Sequence, residues 1–224
     1  NTICEEIKYH NADVLIHLAG IVNIEECEND PKKCYKINVE GSEKIFKAAS
    51  NSGIKRFVYV STSHVYKTTD ELIPIDIKTK TNPSTVYAKS KLLAENRIIF
   101  LSKKFLNTKI SIARVFSVLS NLMKKGFLLT TIHEMAKSKK FEPIKGLNNV
   151  RDFLWATDVC NKLIHLCQSK SFPSKLHICS GKPKKILKLV EEVFEQYEID
   201  KSNIINNNLD NQKNFLVGKP SEFI

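Results

Sequence analysis

The chain contains short, continuous apolar runs that are typical of strands buried on both faces of a parallel sheet. The clearest runs are ADVLIHL at 12–18 and KRFVYV at 55–60. They are too short for buried helices, and they do not alternate between apolar and polar residues as a half-exposed strand would. Between them, Asp30 and Pro31 begin a helical pattern that continues to about Ser52. Strands that alternate with helices predict an α/β fold built on a doubly wound parallel sheet.

The alternation continues along the chain and loosens after Asn121. A helix is predicted from a cap at Ser84 or Thr85 to about residue 105. The later predictions are a strand at 110–118, a helix at 128–138, a helix capped by Thr157 and Asp158 and running through Cys167, a strand at 176–181, a helix at 184–197 and a surface loop at 202–214. His17, inside the first apolar run, is interpreted as a core histidine.

Tyr87 and Lys91 form the first candidate catalytic pair. They lie four residues apart on one predicted helix, so their side chains share a helix face. A free tyrosine titrates near about 10, and a neighbouring ammonium group can lower that pKa by roughly 1–3 units. Tyr87 would then act as a general acid and base at neutral pH. Thr62 lies where the second strand ends, and its hydroxyl could bond both the phenol and a substrate oxygen.

Tyr and Lys at this spacing also occur by chance on exposed helices, but here five motifs follow one another in a fixed order. They are DVLIHLAG at 13–20, INVEGS at 37–42, KRFVYVST at 55–62, YAKSK at 87–91 and VRDF at 150–153. Together they resemble the extended branch of the short-chain dehydrogenase/reductase family, the NAD-dependent epimerases and dehydratases that act on nucleotide sugars. The resemblance covers residues 12–188.

The resemblance implies a Rossmann-like doubly wound parallel sheet and a smaller C-terminal lobe that binds the substrate. It places residues 1–120 in an NAD(P)-binding domain and 121–224 in the substrate lobe, with parts of 150–181 returning to the first domain. Family members commonly pair through two helices per subunit, so a homodimer is expected through the helices predicted at 30–52 and 84–105.

The resemblance also assigns roles to individual residues. It implies a catalytic set of Thr62, Tyr87 and Lys91. The residues expected at a cofactor, NAD or NADP, are Leu18, Ala19, Gly20, Asn38, Val60, Ser61, Tyr87, Lys91 and Phe116. The residues expected at the substrate, a nucleoside-diphosphate sugar, are Ser63, His64, Ser117 and Arg151.

Four of these assignments have alternatives. Asn38 either contacts the cofactor region or satisfies a bent backbone. Arg151 can bind a diphosphate bidentately, whereas an Arg-Asp neighbour pair is often only a structural salt bridge. Ser117 stands where many family members have an Asn that binds the diphosphate, which weakens its assignment. His64 is either a second acid or an exposed loop histidine without a role.

Composition narrows the possible partners and location. The net charge is +11, but the lysines are spread along polar helix faces rather than gathered with aromatics, so no nucleic-acid binding is predicted. No apolar run approaches the roughly 20 residues of a membrane span, and the first ten residues do not resemble a signal peptide. We therefore predict a cytoplasmic protein without membrane or metal sites. The six cysteines contain no C-x-x-C pair and are predicted to be reduced, with Cys160 and Cys167 in the core.

The seven glycines do not form the glycine-rich turn that a dinucleotide fold needs for close approach of the pyrophosphate. Aligned to the family, the chain begins after that turn. We therefore expect that a βαβ unit of roughly 30 residues or more is missing from this sequence, or that the protein is a degenerate homologue. The residue that separates NAD from NADP would lie in that unit, so both cofactors stay open.

The leading functional prediction is a 4-epimerase or 4-keto reductase of a nucleoside-diphosphate sugar. Ser63 and His64 stand where dehydratases of the family carry Asp-Glu, which disfavours dehydration. The alternative is a catalytically impaired homologue that binds nucleotide or has a regulatory role. The absent glycine turn, Ser117, and Lys67 in place of a usual Gly support that alternative.

Overall fold

The structure is a computed structural model, and it describes residues 2–204 and 214–221. The helices are α1 (Thr2–Tyr9), α2 (Ile24–Asn29), α3 (Pro31–Tyr35), α4 (Ser42–Asn51), α5 (Val86–Ser102), α6 (Leu128–Ser138), α7 (Ala156–Gln168) and α8 (Ile186–Gln196). The strands are β1 (Val14–His17), β2 (Arg56–Thr62), β3 (Lys109–Val115), β4 (Ser117–Leu119), β5 (Val150–Trp155), β6 (Lys175–Ile178), β7 (Pro183–Lys185) and β8 (Phe215–Leu216).

The main sheet has four parallel strands in the order β1, β2, β3, β6. Because side chains alternate across a strand, Phe57 and Tyr59 of β2 pack under α4 and α5, while Val58 packs on the side of α7. Helices therefore cover both faces, and the predicted doubly wound parallel sheet is confirmed. Along the described residues, β1 pairs with β2 alone and forms one edge of this sheet.

A second, smaller sheet has β5 at its centre, paired with β4, β7 and β8. A separate apolar core lies around α6 and α8, where Ile132 contacts a cluster that includes Val190 and Phe194. The strand predicted at 110–118 is wrong as one element. β3 ends at Val115, and Ser117 begins β4, which pairs with β5 instead of continuing in the main sheet. The division of the chain into domains at residue 120 stays a prediction.

The helix predicted from residue 30 to 52 forms with one irregularity. Asp30 caps it, since its Oδ1 accepts a hydrogen bond from the backbone of Lys33 at 2.9 Å, and Pro31 occupies the first helical position. A π-helical segment, Lys36–Gly41, joins α3 to α4. π-helical turns inside α-helices are rare and occur frequently at functional sites.

Several local predictions are wrong in detail. Trp155 is the N-cap of α7 without a side-chain cap bond, so Thr157 and Asp158 do not cap this helix. Cys160 is exposed and Cys167 is partly buried, because the inward face of α7 is formed by other residues. Helix α8 begins at Ile186 rather than 184. Of the loop predicted at 202–214, residues 205–213 lie outside the described residues.

His17 is a core histidine, as predicted. It is buried at the end of β1, and its Nε2 lies 2.9 Å from the Ser42 hydroxyl. Burial, and secondly the charge of Lys91, lower its pKa to about 4. Within residues 2–204 and 214–221, no helix has the length and apolar content of a membrane-spanning helix.

Candidate active site

Tyr87 lies in the first turn of α5, and that turn is held by two side-chain caps. Thr85 Oγ1 accepts a hydrogen bond from the backbone of Ala88 at 3.1 Å, which confirms the predicted cap. Glu28 of α2 accepts another from the backbone of Val86 at 2.8 Å. These bonds fix the start of the helix that carries Tyr87, and Tyr87 is only 9% exposed.

The structure brings Thr62 and Tyr87 together, as the sequence predicted. Thr62 ends β2, and its hydroxyl accepts a bond from the backbone of His64 at 3.2 Å, which fixes a short 3-10 turn, Ser63–Val65. The Thr62 hydroxyl lies close to the phenol and lowers the pKa of Tyr87. Burial has the larger, opposite effect, and raises that pKa to about 12. Tyr87 is therefore a neutral phenol at physiological pH.

Lys91 is buried one helical turn from Tyr87, and its ammonium group has two partners. Nζ donates to the Val60 carbonyl at 2.7 Å and lies 4.2 Å from the ring centroid of Tyr59. Burial lowers the pKa of Lys91 to about 8, although the neighbouring Glu95 raises it. The predicted lowering of the Tyr87 pKa by Lys91 is wrong for this structure. Burial has the largest effect on the pKa of Tyr87. The Lys91 ammonium group bonds the Val60 carbonyl near the carboxyl end of β2 instead.

His64 faces Tyr87 from the 3-10 turn. The two ring centroids are 6.3 Å apart and the planes meet at 65°. The interpretation as an exposed loop histidine is wrong, because the side chain is partly buried between elements. Burial lowers its pKa and the charge of Arg151 lowers it further, so the ring is neutral near pH 7. Its ring nitrogens make no hydrogen bond to the residues that the structure describes.

Arg151 is the second residue of β5. Its Nη1 donates to the carbonyls of Val150 at 2.9 Å and Asn214 at 2.8 Å. The alternative of a salt bridge with Asp152 is wrong, because neighbouring residues of a strand point to opposite faces. Asp152 instead accepts bonds from Ser180 and from the backbone of residues 181 and 218. Arg151 thus lies near His64, with part of its guanidinium group held by backbone.

Asn38 connects the turn after β1 to α5. Its Oδ1 accepts from the backbone nitrogen of Ile21 at 2.8 Å, and its Nδ2 donates to the Ile21 carbonyl at 2.9 Å and to Ser90 Oγ at 3.0 Å. A Cβ atom at Gly20 would lie 2.9 Å from Asn38 Oδ1, so a residue without a side chain fits best there. Asn38 thus satisfies backbone groups, which is the structural role considered for it. The turn that it holds is also the turn at which the cofactor is expected.

The remaining predicted residues differ in how accessible they are. At the carboxyl end of β1, Leu18 is 64% exposed, and Ala19 and Gly20 are exposed with it. Ser61 is buried, and its hydroxyl donates to Glu95 at 2.6 Å. Ser63 and Phe116 are also buried, whereas Ser117 and Val60 are partly exposed. Their ligand roles stay predictions.

Two features beside the site were missed in the sequence. One is a buried polar chain in which Arg114 donates to Glu95 at 3.0 and 2.6 Å and to Tyr66 at 2.7 Å, and Tyr66 lies 2.7 Å from His177 Nε2. An Arg in the otherwise apolar run of β3 was a signal for it, since buried charges need partners. The other is the contact between Cys27 and Cys34. Their separation of 7 residues in the sequence does not predict a cysteine pair.

Comparison with known proteins decides the family. The sequence model of the NAD dependent epimerase/dehydratase family matches residues 1–179. This chain belongs to the NAD dependent epimerase/dehydratase family. The match covers every predicted catalytic residue, so the resemblance inferred from the five motifs is confirmed.

Several relatives within this family are sugar-nucleotide enzymes. GDP-6-deoxy-D-mannose reductase of Pseudomonas aeruginosa is 27% identical over 197 residues, which are 84% of this chain and 64% of the reductase. This chain thus spans less than two thirds of that relative. UDP-glucose 4-epimerase of Streptococcus mutans is 34% identical over 85 residues, covering 38% of this chain and 25% of the epimerase.

Solved structures of similar proteins confirm the fold. RMD from Pseudomonas aeruginosa complexed with NADPH superposes with a TM-score of 0.83 at 24% identity, covering 94% of this chain and 73% of that one. MoeE5 in complex with UDP-glucose and NAD superposes with a TM-score of 0.87 at 18% identity, covering 100% of this chain and 74% of that one. At these identities the superpositions establish a shared Rossmann-like architecture.

Proposed function

We propose that this chain is part of an NAD(P)-dependent enzyme that reduces or epimerises a nucleoside-diphosphate sugar at C4. The observation that carries the proposal is the pairing of Tyr87 with Thr62, with Lys91 buried one helical turn away. The family and the relatives named above are consistent with this activity. Both reductases and epimerases occur among them, so both reactions stay in the proposal.

The residues at the carboxyl edge of the main sheet fit a nicotinamide nucleotide. Leu18 is an apolar side chain that stays 64% exposed beside two small residues, a surface that a bound nucleotide would cover. Lys91 Nζ uses one N–H for the Val60 carbonyl, which leaves two for ribose hydroxyls. When bound, the nicotinamide would supply or accept the hydride. NAD and NADP both remain compatible with these residues.

Tyr87 is the group that would move the proton. A phenol whose pKa is about 12 holds its proton at neutral pH and can donate it to the oxygen of a 4-ketone as that oxygen gains negative charge. In the reverse direction the phenolate accepts the proton of a 4-hydroxyl group. Lys91, still mainly protonated near pH 7, would hold the ribose of the cofactor beside the phenol. Thr62 would bond the same sugar oxygen and hold it beside the phenol.

The remaining residues would bind and orient the sugar nucleotide. Arg151 would bind the diphosphate with the guanidinium nitrogens that the backbone does not occupy. His64, neutral and without a hydrogen-bond partner among the described residues, would contact the sugar and could act as a second acid or base. Ser63 and Ser117 complete the proposed substrate contacts, with residues 121–224 as the substrate lobe. A catalytically impaired homologue is not favoured, because the relatives named above are enzymes and the three side chains proposed as catalytic lie together at the end of β2 and the start of α5.

Substitution of Tyr87 by Phe tests the proposal. In the full-length protein, Tyr87→Phe should lower kcat by about 10²–10⁴-fold, the usual contribution of a general acid, and leave cofactor binding unchanged. The assay follows NAD(P)H absorbance with a panel of GDP-, dTDP- and UDP-linked sugars and 4-ketosugars.

Tyr9→Phe is the matched control, since Tyr9 is 84% exposed and carries the same change. It should behave like the parent protein. Normal turnover by Tyr87→Phe would show that Tyr87 does not transfer the proton. No turnover by the parent protein on any sugar nucleotide would remove the proposed activity itself.

A further inference from the structure

Cys27 and Cys34 form a pair of buried thiols directly behind Tyr87. Both residues are 0% exposed, and their sulfur atoms lie 2.7 Å apart. Cys27 belongs to α2 and Cys34 to α3. No disulfide joins them in this structure.

The two sulfur atoms already lie close to bonding distance. A disulfide has an S–S distance of about 2.05 Å, so the sulfurs need to approach by less than an ångström. We propose that Cys27 and Cys34 are a redox-active pair, which a peroxide oxidises to a reversible disulfide between α2 and α3. This inference is independent of the proposed sugar-nucleotide activity.

The pair contacts elements that hold the site. Cys27, Cys34 and Tyr87 belong to one buried cluster. Cys34 Sγ also lies 3.5 Å from Ser90 Oγ on the Tyr87 helix and 3.5 Å from Asn38 Nδ2. A disulfide would therefore join α2 and α3 at the point where the turn after β1 meets the Tyr87 helix.

Cys27 lies on α2, a short surface helix of 6 residues. Cys27 is the single buried residue of α2, and the other five residues of this helix are exposed. A small outward movement of α2 would bring the Cys27 sulfur toward solvent, and short surface segments with few buried contacts open most readily. Burial, and secondly the contact with Cys34, raise the pKa of Cys27 to about 12. Because the thiolate is the reactive form, oxidation should be slow at pH 7 and faster at pH 9.

The chemistry balances with hydrogen peroxide as the oxidant. One thiolate attacks the peroxide to give a sulfenic acid and, with a proton, water. The second thiol attacks that sulfur, which forms the S–S bond and releases a second water. Two thiols and one peroxide thus give one disulfide and two waters, and the two electrons lost by sulfur reduce the peroxide.

Peptide mapping tests the inference in the folded full-length protein. Trypsin cleaves after Lys32 and Lys33, so Cys27 lies on peptide 9–32 and Cys34 on peptide 34–36. After peroxide treatment and blocking of free thiols, a non-reducing digest should contain the two peptides linked, with the mass of both minus two hydrogens. The linked species should account for most of both cysteines and disappear with dithiothreitol. It should form several-fold faster at pH 9 than at pH 7.

Two controls separate this result from general thiol oxidation. Cys160 is exposed, lies on another peptide and reports that the oxidant has acted. In Cys34→Ser, checked for folding by circular dichroism, peptide 9–32 should remain unlinked. The inference is overturned if Cys27 and Cys34 stay free, or oxidise separately to sulfinic acids, under conditions that consume Cys160. Neither outcome depends on enzymatic turnover.

Discussion

At the scale of single residues, Lys91 gives a prediction about pH and stability. Its pKa is about 8 in the folded chain and about 10.4 when unfolded, because burial disfavours the ammonium ion. Between these values the unfolded state binds more protons than the folded state, so the contribution of Lys91 to stability rises with pH through this window. Below pH 8 the folded state bears the full cost of a buried charge.

Lys91→Met tests this assignment. The variant should be more stable than the parent protein at pH 7, and its free energy of unfolding should lack the gain that the parent shows between pH 8 and pH 10. Urea titrations of both proteins at three pH values measure the difference, and other groups that titrate in this range cancel. Parallel curves for the two proteins would contradict the assigned pKa.

The same residue shows how much of the site could be predicted from sequence. Helical spacing places Tyr87 and Lys91 on one face whatever the rest of the chain does, and the strand end places Thr62 opposite them. The protonation of Tyr87 could not be predicted in this way. It depends on how deeply the phenol is buried. The position of the Lys91 ammonium group depends likewise on the Val60 carbonyl, 31 positions away. Such long-range contacts leave no periodic signal.

At the scale of elements, the buried pair of Arg114 and Glu95 links β3 to α5, the helix that carries Tyr87 and Lys91. The pair is bidentate, with both side chains at most 2% exposed. Burial alone would lower the pKa of Arg114, but Glu95 and Tyr66 raise it. Because Glu95 lies one turn after Lys91 and also bonds Ser61, this pair holds the inner face of α5 against the sheet.

Removing one member of the pair should therefore cost more than removing both. Arg114→Met leaves Glu95 buried without its cation and should lower the free energy of unfolding by about 3–5 kcal/mol. The double variant Arg114→Met, Glu95→Gln removes both charges of the pair and should recover part of that loss. Urea unfolding of the three proteins provides the comparison. A double variant that is less stable than the single variant would show that the charge of Glu95 is satisfied by other groups.

Element prediction succeeded where the pattern was local and failed where the chain changes partners. β2 and α5 carry continuous apolar or helical signals, and both were predicted within a few residues. The division at Phe116 was missed because residues 110–118 are uniformly strand-like in sequence. Only the pairing of Ser117 with Phe153 reveals that the chain leaves one sheet for another.

At the scale of the whole molecule, the outer face of α5 is the best candidate for self-association. Leu93 is 39% exposed and Phe100 is 57% exposed, and residues seven apart lie on the same side of a helix. Ile37, in the π-helical segment that packs beside α5, is 40% exposed. These apolar side chains lie on the two helical regions through which the predicted homodimer would form, and their burial would stabilise a dimer.

Phe100→Asp tests this surface because a charge at the centre of an apolar interface opposes association. Sedimentation velocity should show a dimer for the full-length protein and a monomer for Phe100→Asp at the same concentration. Leu122→Asp is the matched control, since Leu122 is 93% exposed and lies after β4 in the second sheet region, so this variant should remain dimeric. A parent protein that sediments as a monomer, or a Phe100→Asp variant that stays dimeric, would exclude this face as the interface. Circular dichroism of Phe100→Asp checks that the variant is folded. The kcat of the monomeric variant, compared with that of the dimeric parent, then measures whether turnover requires the dimer.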